Sequence, residues 1–256
     1  MTNPTDGTGP DDLPTLADLR AAWTPINETH RAGGRFSDGV HLRIYRCLSW
    51  LDRAENLGPG EADLAFILRM IGFNALWGRV VETGERSSQV DDFRNFLERL
   101  VAHDERGRLL SWMRDRESLL ARIFESRFFH REWWKDPDAG EPRGQDKIAD
   151  RFPGWLAEGD IERLGREFAR RMLLLRGQLV HGNATHGGKT NRSSVEPAAE
   201  VLDGLARTSL AILILDGVHA EDLGWMPVPY PPTEIGDDDA ADGRPVQDGS
   251  SPNPES

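Results

Sequence analysis

One cysteine, Cys47, stands in the 256 residues, so no disulfide can form within the chain and a cysteine-rich metal site is excluded. It lies in the apolar run Ile44–Trp50, where a small buried hydrophobe accounts for it better than a nucleophile. Long hydrophobic runs are also missing: the longest, such as Leu210–Leu215, fall far short of a membrane span. No basic stretch followed by an apolar one opens the chain, so no secretory signal is expected and the default location is the cytoplasm. A His-Glu-x-x-His pair, paired Glu-x-x-His helices, a P-loop and a dinucleotide-binding glycine fingerprint are all absent. The sequence therefore gives no support for a metal site or a bound cofactor.

Apolar residues are scarce as well, at 38% of the chain, and the ends account for the shortage. Residues 1–12 hold Asp6, Asp11 and Asp12 and no base, and residues 234–256 hold seven acidic residues against Arg244 alone. Both ends are rich in Gly, Pro, Ser and Asp and bury too little to offset the entropy of ordering. They read as a disordered N-terminus and a disordered acidic tail around one domain spanning 13–233. The formal charge of −12 belongs mostly to these ends, and the body is close to neutral. A near-neutral body with local arginine clusters is compatible with a nucleic-acid partner, although no basic stripe of the DNA-binding kind is present.

What the body does contain is helical periodicity, with alternating strand patterns nearly absent. The expected fold class is all-α. Leu13–Trp23 forms a short helix closed by Pro25, and Val40–Leu57 puts Ile44, Cys47, Leu48 and Leu51 on one face. Glu61–Val81 follows, with Leu64, Ile67, Leu68, Ile71, Ala75 and Trp77 as its apolar stripe. Val90–His103 and Leu109–Phe124 are two more amphipathic stretches, and 136–145 is a Pro/Gly/Asp-rich loop. Ile161–Val180 is the clearest helix, with Ile161, Leu164, Phe168, Met172, Leu175 and Leu179 stepping by three or four residues. Pro197 suits the first turn of a last helix reaching about Asp216, and the four prolines of 225–232 require extended chain. Between these, Arg127–Lys135 interleaves aromatics with bases. It reads as a helix end that packs Phe128, Trp133 and Trp134 into the core, the alternative being a surface that stacks on unpaired bases.

The chemically loaded segment is Arg176-Gly-Gln-Leu-Val-His181-Gly182, at the end of the clearest helix. Part of it has a plain structural account: cations suit a helix C-terminus, and glycine is the usual stop. It also has a chemical one. Arginine holds a phosphate through paired hydrogen bonds, and histidine both takes and gives a proton near neutral pH. Cleaving RNA needs those two services and no metal, because the ribose 2′-hydroxyl is the nucleophile. Positions five apart sit about 140° around a helix, so the pair converges only if the helix unwinds at Gly182 or two chains pool their residues.

The segment Leu174–Gly182 resembles the C-terminal signature of bacterial HEPN proteins, helical bundles defined by an Arg, four to six residues, then His. The stretches 41–55 and 66–78 resemble the first two long helices of an uncharacterised HEPN-like subgroup, and the loop 182–194 and the ending 225–232 recur there. The resemblance implies a HEPN-type helical bundle and a metal-independent endoribonuclease of toxin–antitoxin or defence systems. It further implies a homodimer pooling two Arg–His pairs, RNA as substrate, and a partner protein such as an antitoxin. By carry-over Arg176 stabilises the scissile phosphate and His181 is the general acid/base. The residue after the Arg is usually polar, most often Asn, but here is Gly177. Either Gln178 substitutes or activity is weakened or lost, leaving an RNA-binding module. The position that another subgroup fills with a modifiable Tyr is Asn183. Further RNA-contact candidates are Gln178, Asn183, Arg192 and Asn74; Asn183 and Arg192 have a plain alternative in capping the loop and the next helix, and Asn74 as a satisfied core amide. Arg35 and His41, with five residues between them, form a second Arg–His spacing within the four-to-six range but lack the flanking similarity and are discounted.

Overall fold

The computed structural model describes residues 13–31, 38–79, 88–136, 138, 145–189 and 191–216. The expected disordered ends and the extended stretch 225–232 lie outside them. Within them the protein is all-α, with no strand. The helices are α1 (Leu16–Arg31), α2 (Asp38–Glu55), α3 (Ala62–Trp77), α4 (Gln89–Ala102), α5 (Arg108–Asp115) and α6 (Glu117–Glu125). After a short 3-10 turn at Arg127–Phe129 come α7 (Arg131–Lys135), α8 (Gln145–Glu158), α9 (Ile161–Val180) and α10 (Arg192–Ile214).

Local chemistry explains several of the helix starts. Thr15 and Asp18 form a reciprocal capping box at α1, each side chain accepting the other's backbone N–H at 3.0–3.1 Å. Ser88 caps α4, Asp104 accepts the Leu109 N–H at the head of α5, and Asp160 accepts the Arg163 N–H at the head of α9. At the other end of a helix, Arg43 is buried and its Nη1 donates to the carbonyls of Ala75, Leu76 and Gly78, closing α3.

Helix α3 packs between α2 and α10, while α4 pairs with α9. Aromatic rings join the layers. Phe73 of α3 meets Phe93 and Phe96 of α4 edge-on, and Phe124 of α6 stacks on Phe152 of α8 and meets Phe168 of α9 edge-on. A bidentate pair from Arg108 to Asp216 ties the start of α5 to the end of α10. The stripe expected for α9 is in place: Leu164, Phe168, Met172 and Leu175 are buried, with Ile161 and Leu179 packed against them.

Several expectations are corrected. Helix α1 runs through Pro25; Pro25 and Ala21, whose carbonyl loses its partner there, are both exposed, so water can satisfy it. Helix α10 begins at Arg192, which makes Pro197 an interior residue rather than a first-turn one. The span 109–124 is two helices broken at Arg116, and α8, with Pro153 on its exposed side, was not anticipated. In α3 the buried apolar side chains are Phe66, Met70, Phe73, Leu76 and Trp77, whereas Leu64 and Ile71, placed on the buried stripe, are 44% and 38% exposed. The helix is apolar nearly all round, and periodicity cannot select the inner face of such a segment. Cys47 is buried, and burial pushes its thiol pKa far above the ordinary value, in keeping with a core residue.

Candidate functional site

Helix α9 ends in a Schellman motif. The Asn183 N–H donates to the Gln178 carbonyl at 2.8 Å and the Gly182 N–H to the Leu179 carbonyl, with Gly182 left-handed at φ 70°. The chain therefore turns away at Gly182, as the sequence suggests, and His181 is left as the capping residue just after the helix. Its side chain is exposed and makes no hydrogen bond to a described residue. The ring lies beside Gly177 one turn earlier, where a β-carbon would come 4.0 Å from its Cδ2 atom.

His181 borders a cleft of about 360 Å³ whose other walls are Trp134, Leu173, Leu174, Gly177, Gln178 and Asn183. Gln178 is the unusual member. It is 5% exposed, and neither its Oε1 nor its Nε2 has a hydrogen-bond partner. A buried amide left in that state costs about 1–3 kcal/mol, so the position is not explained by stability.

Trp134 comes from the aromatic–basic segment, and the structure corrects the core reading of it. Phe129 is the buried ring there; Phe128, Trp133 and Trp134 are each only half-buried. These three form their own cluster, with Trp133 and Trp134 perpendicular at a centroid separation of 4.8 Å and Phe128 edge-on to Trp133. The Trp134 indole N–H donates to the Phe128 carbonyl at 2.7 Å, which fixes the ring as one wall of the cleft. The Arg127 guanidinium lies 5.4–5.5 Å from the Phe128 and Trp133 ring centres. Below the cluster, burial and the neighbouring Arg171 lower the pKa of His130, with Glu167 and Glu132 opposing.

The remaining candidates divide. Gln178 and Asn183 share the cleft with His181. Arg176 does not line it: its Nη1 donates to the Gln89 side chain at the start of α4, at 3.3 Å. Arg192 is drawn the other way, its Nη2 lying 3.4 Å from the Asp63 carboxylate, which also accepts the Gly187 N–H. That pair pins the loop after His181 to the start of α3, and Arg192 is not among the residues lining the cleft. Asn74 is likewise away from the cleft. A β-carbon on Gly78 would lie 2.8 Å from its Nδ2, so the amide sits against the end of α3. His41 is engaged by Asn27 and packs on Trp23; Arg35 lies outside the described residues.

Among the described residues no group of three or more His, Cys, Asp or Glu side chains is placed to hold a metal ion. No helix among them is long and apolar enough to cross a membrane. What the fold and cleft define is thus an all-α protein with an unencumbered histidine beside an aromatic-walled cleft. Compared with protein-family models, curated proteins and solved structures, the chain matches none.

Proposed function

We propose that this chain is a metal-independent endoribonuclease of the HEPN kind, acting as a homodimer in a toxin–antitoxin or defence setting. The observation that carries the reading is His181: exposed, free of hydrogen-bond partners among the described residues, and held by a glycine-ended helix at the rim of a cleft. A histidine so placed is available to a substrate. Its imidazole takes the proton of a ribose 2′-hydroxyl, the 2′-oxygen attacks the adjacent phosphorus, and the bond from phosphorus to the 5′-oxygen breaks. The leaving oxygen takes up a proton, and a 2′,3′-cyclic phosphate remains. Arg176 balances the charge on the phosphoryl oxygens. Within one chain Arg176 is turned to Gln89 rather than to this cleft, which favours a second copy supplying its Arg176 to the site.

The same arrangement, with Gly177 where the resembled family carries a polar residue, favours a second reading: an RNA-binding module of the same fold that does not cut. Mixed RNA incubated with the full chain in excess EDTA separates the two. Cleavage leaving cyclic-phosphate ends is expected, falling about 100-fold or more in both Arg176→Ala and His181→Ala. A folded, dimeric protein that leaves RNA intact would overturn the nuclease and leave the binding module.

A further inference from the structure

The cleft beside His181 has two features that general acid/base chemistry does not use. One is the fixed ring of Trp134, held by its hydrogen bond to the Phe128 carbonyl and by perpendicular contact with Trp133. The other is the unpartnered amide of Gln178, 95% buried. An aromatic face and a side-chain amide are the two elements with which proteins read an unpaired base: the ring stacks on its face, and the amide pairs with a donor and acceptor on its edge. Leu173 and Leu174 give the cleft an apolar lining, and Gly177 contributes no side chain to fill it.

The geometry points to a nucleobase-recognition subsite in this cleft, with Trp134 as the stacking wall and Gln178 as the residue that sets base preference. The inference rests on the proposal that RNA is the ligand. It assigns Gln178 a role different from a substitute for the missing polar residue beside Arg176. The amide atoms are shielded from solvent. The last torsion of a glutamine is broad, so the amide plane can turn to match the edge of a base. An amide offers one acceptor and one donor side by side, which matches the amino-plus-ring-nitrogen edge of adenine in a bidentate pair. His181 at the rim then faces the ribose and phosphate that follow the bound base, so the subsite would decide which linkage is cut.

The test measures binding apart from cleavage. The full chain is titrated by calorimetry with the 3′-monophosphates of adenosine, guanosine, cytidine and uridine, and with ribose phosphate lacking a base. One nucleotide, adenosine's by the edge argument, is expected to bind at least about tenfold tighter than the weakest. Gln178→Leu should flatten that preference to within about twofold, and Trp134→Leu should weaken all four by about tenfold. His181→Ala, at a residue facing the ribose and phosphate, should weaken all four nucleotides alike and keep the preference among them. Thermal melts of each variant show whether it is folded, and Gln178→Leu keeps the inference testable if loss of Trp134 unfolds α7. Equal binding of all four, a preference unchanged in Gln178→Leu, or equal binding of base-free ribose phosphate would each overturn the subsite. A Gln178-dependent preference in a chain that never cleaves RNA would sink the nuclease alone. Cleavage without preference would sink the subsite alone.

Discussion

Two long helices each carry a glycine in their interior, and the surroundings of the two are opposite. Gly204 of α10 lies against the indole of Trp112 in α5, where an added β-carbon would fall 2.1 Å from Cζ2 and 2.5 Å from Cε2. Gly177 of α9 faces the cleft, and the nearest atom to an added β-carbon is the His181 ring at 4.0 Å. Helix α10 is buried along nearly its whole length, and its glycine lets another element approach. The end of α9 has room that no neighbour takes. A protein interior is close-packed, so missing volume at Gly204 and spare volume at Gly177 have different causes: packing at the first, access at the second.

The sharpest way to break this comparison is Gly204→Ala. Trp112 is 8% exposed and an added β-carbon would overlap its ring, so the substitution should cost about 3 kcal/mol, the upper range for overpacking. Denaturant unfolding checks it. The double variant Gly204→Ala with Trp112→Leu should recover part of the loss, because the two sites are in contact and do not add. A tolerated Gly204→Ala would show that α5 does not pack on α10 in this way.

The same contrast recurs between two buried polar side chains. Arg43 spends its guanidinium on three carbonyls at the end of α3, although burial, with Arg46 nearby, pulls its pKa down to about 10. It remains charged at neutral pH. Arg43→Met should therefore lose about 2–3 kcal/mol, the worth of hydrogen bonds from a charged donor. Gln178 spends its amide on nothing, and Gln178→Leu should gain about 1 kcal/mol in the absence of ligand. Urea midpoints of the two variants moving in the same direction would erase the distinction between a structural and a held-in-reserve polar group.

How far the sequence revealed this division follows from what periodicity encodes. The span of α9 and its Gly182 stop are legible because an apolar period of three to four residues and a glycine act locally. The all-α class follows from the same signal. The inner face of α3 was not legible, since a helix apolar on every side carries no contrast, and three interior prolines masked the true extents of α1, α8 and α10. At the site, Arg176 and His181 could be singled out by chemistry. That Arg176 turns to Gln89, 87 residues earlier, is a tertiary fact with no local trace. Trp134 was visible as an aromatic among bases. What decides its role is half-burial against Gln178, which depends on where α7 docks. Arg192 looked like a loop cation; its partner Asp63 lies at the head of α3 and is itself buried, so only the fold pairs them.

The smallest expected effect bears most directly on access. Gly177 has no left-handed φ and an added β-carbon there meets nothing nearer than 4.0 Å, so its presence lowers α9 stability for no packing return. Gly177→Ala should raise stability by about 0.5–1 kcal/mol, by restricting the unfolded chain and improving helix propensity. For a domain of this size that is a rise in melting temperature of about 1–4 °C. The added methyl also projects into the cleft beside His181, so the same variant should bind nucleotide more weakly than the native chain. A gain in stability together with a loss of binding identifies the glycine as a concession to the cleft. A gain in stability with binding unchanged would mean that the ligand does not reach the floor between Gly177 and Gln178, and would move the base toward Trp134 and Asn183.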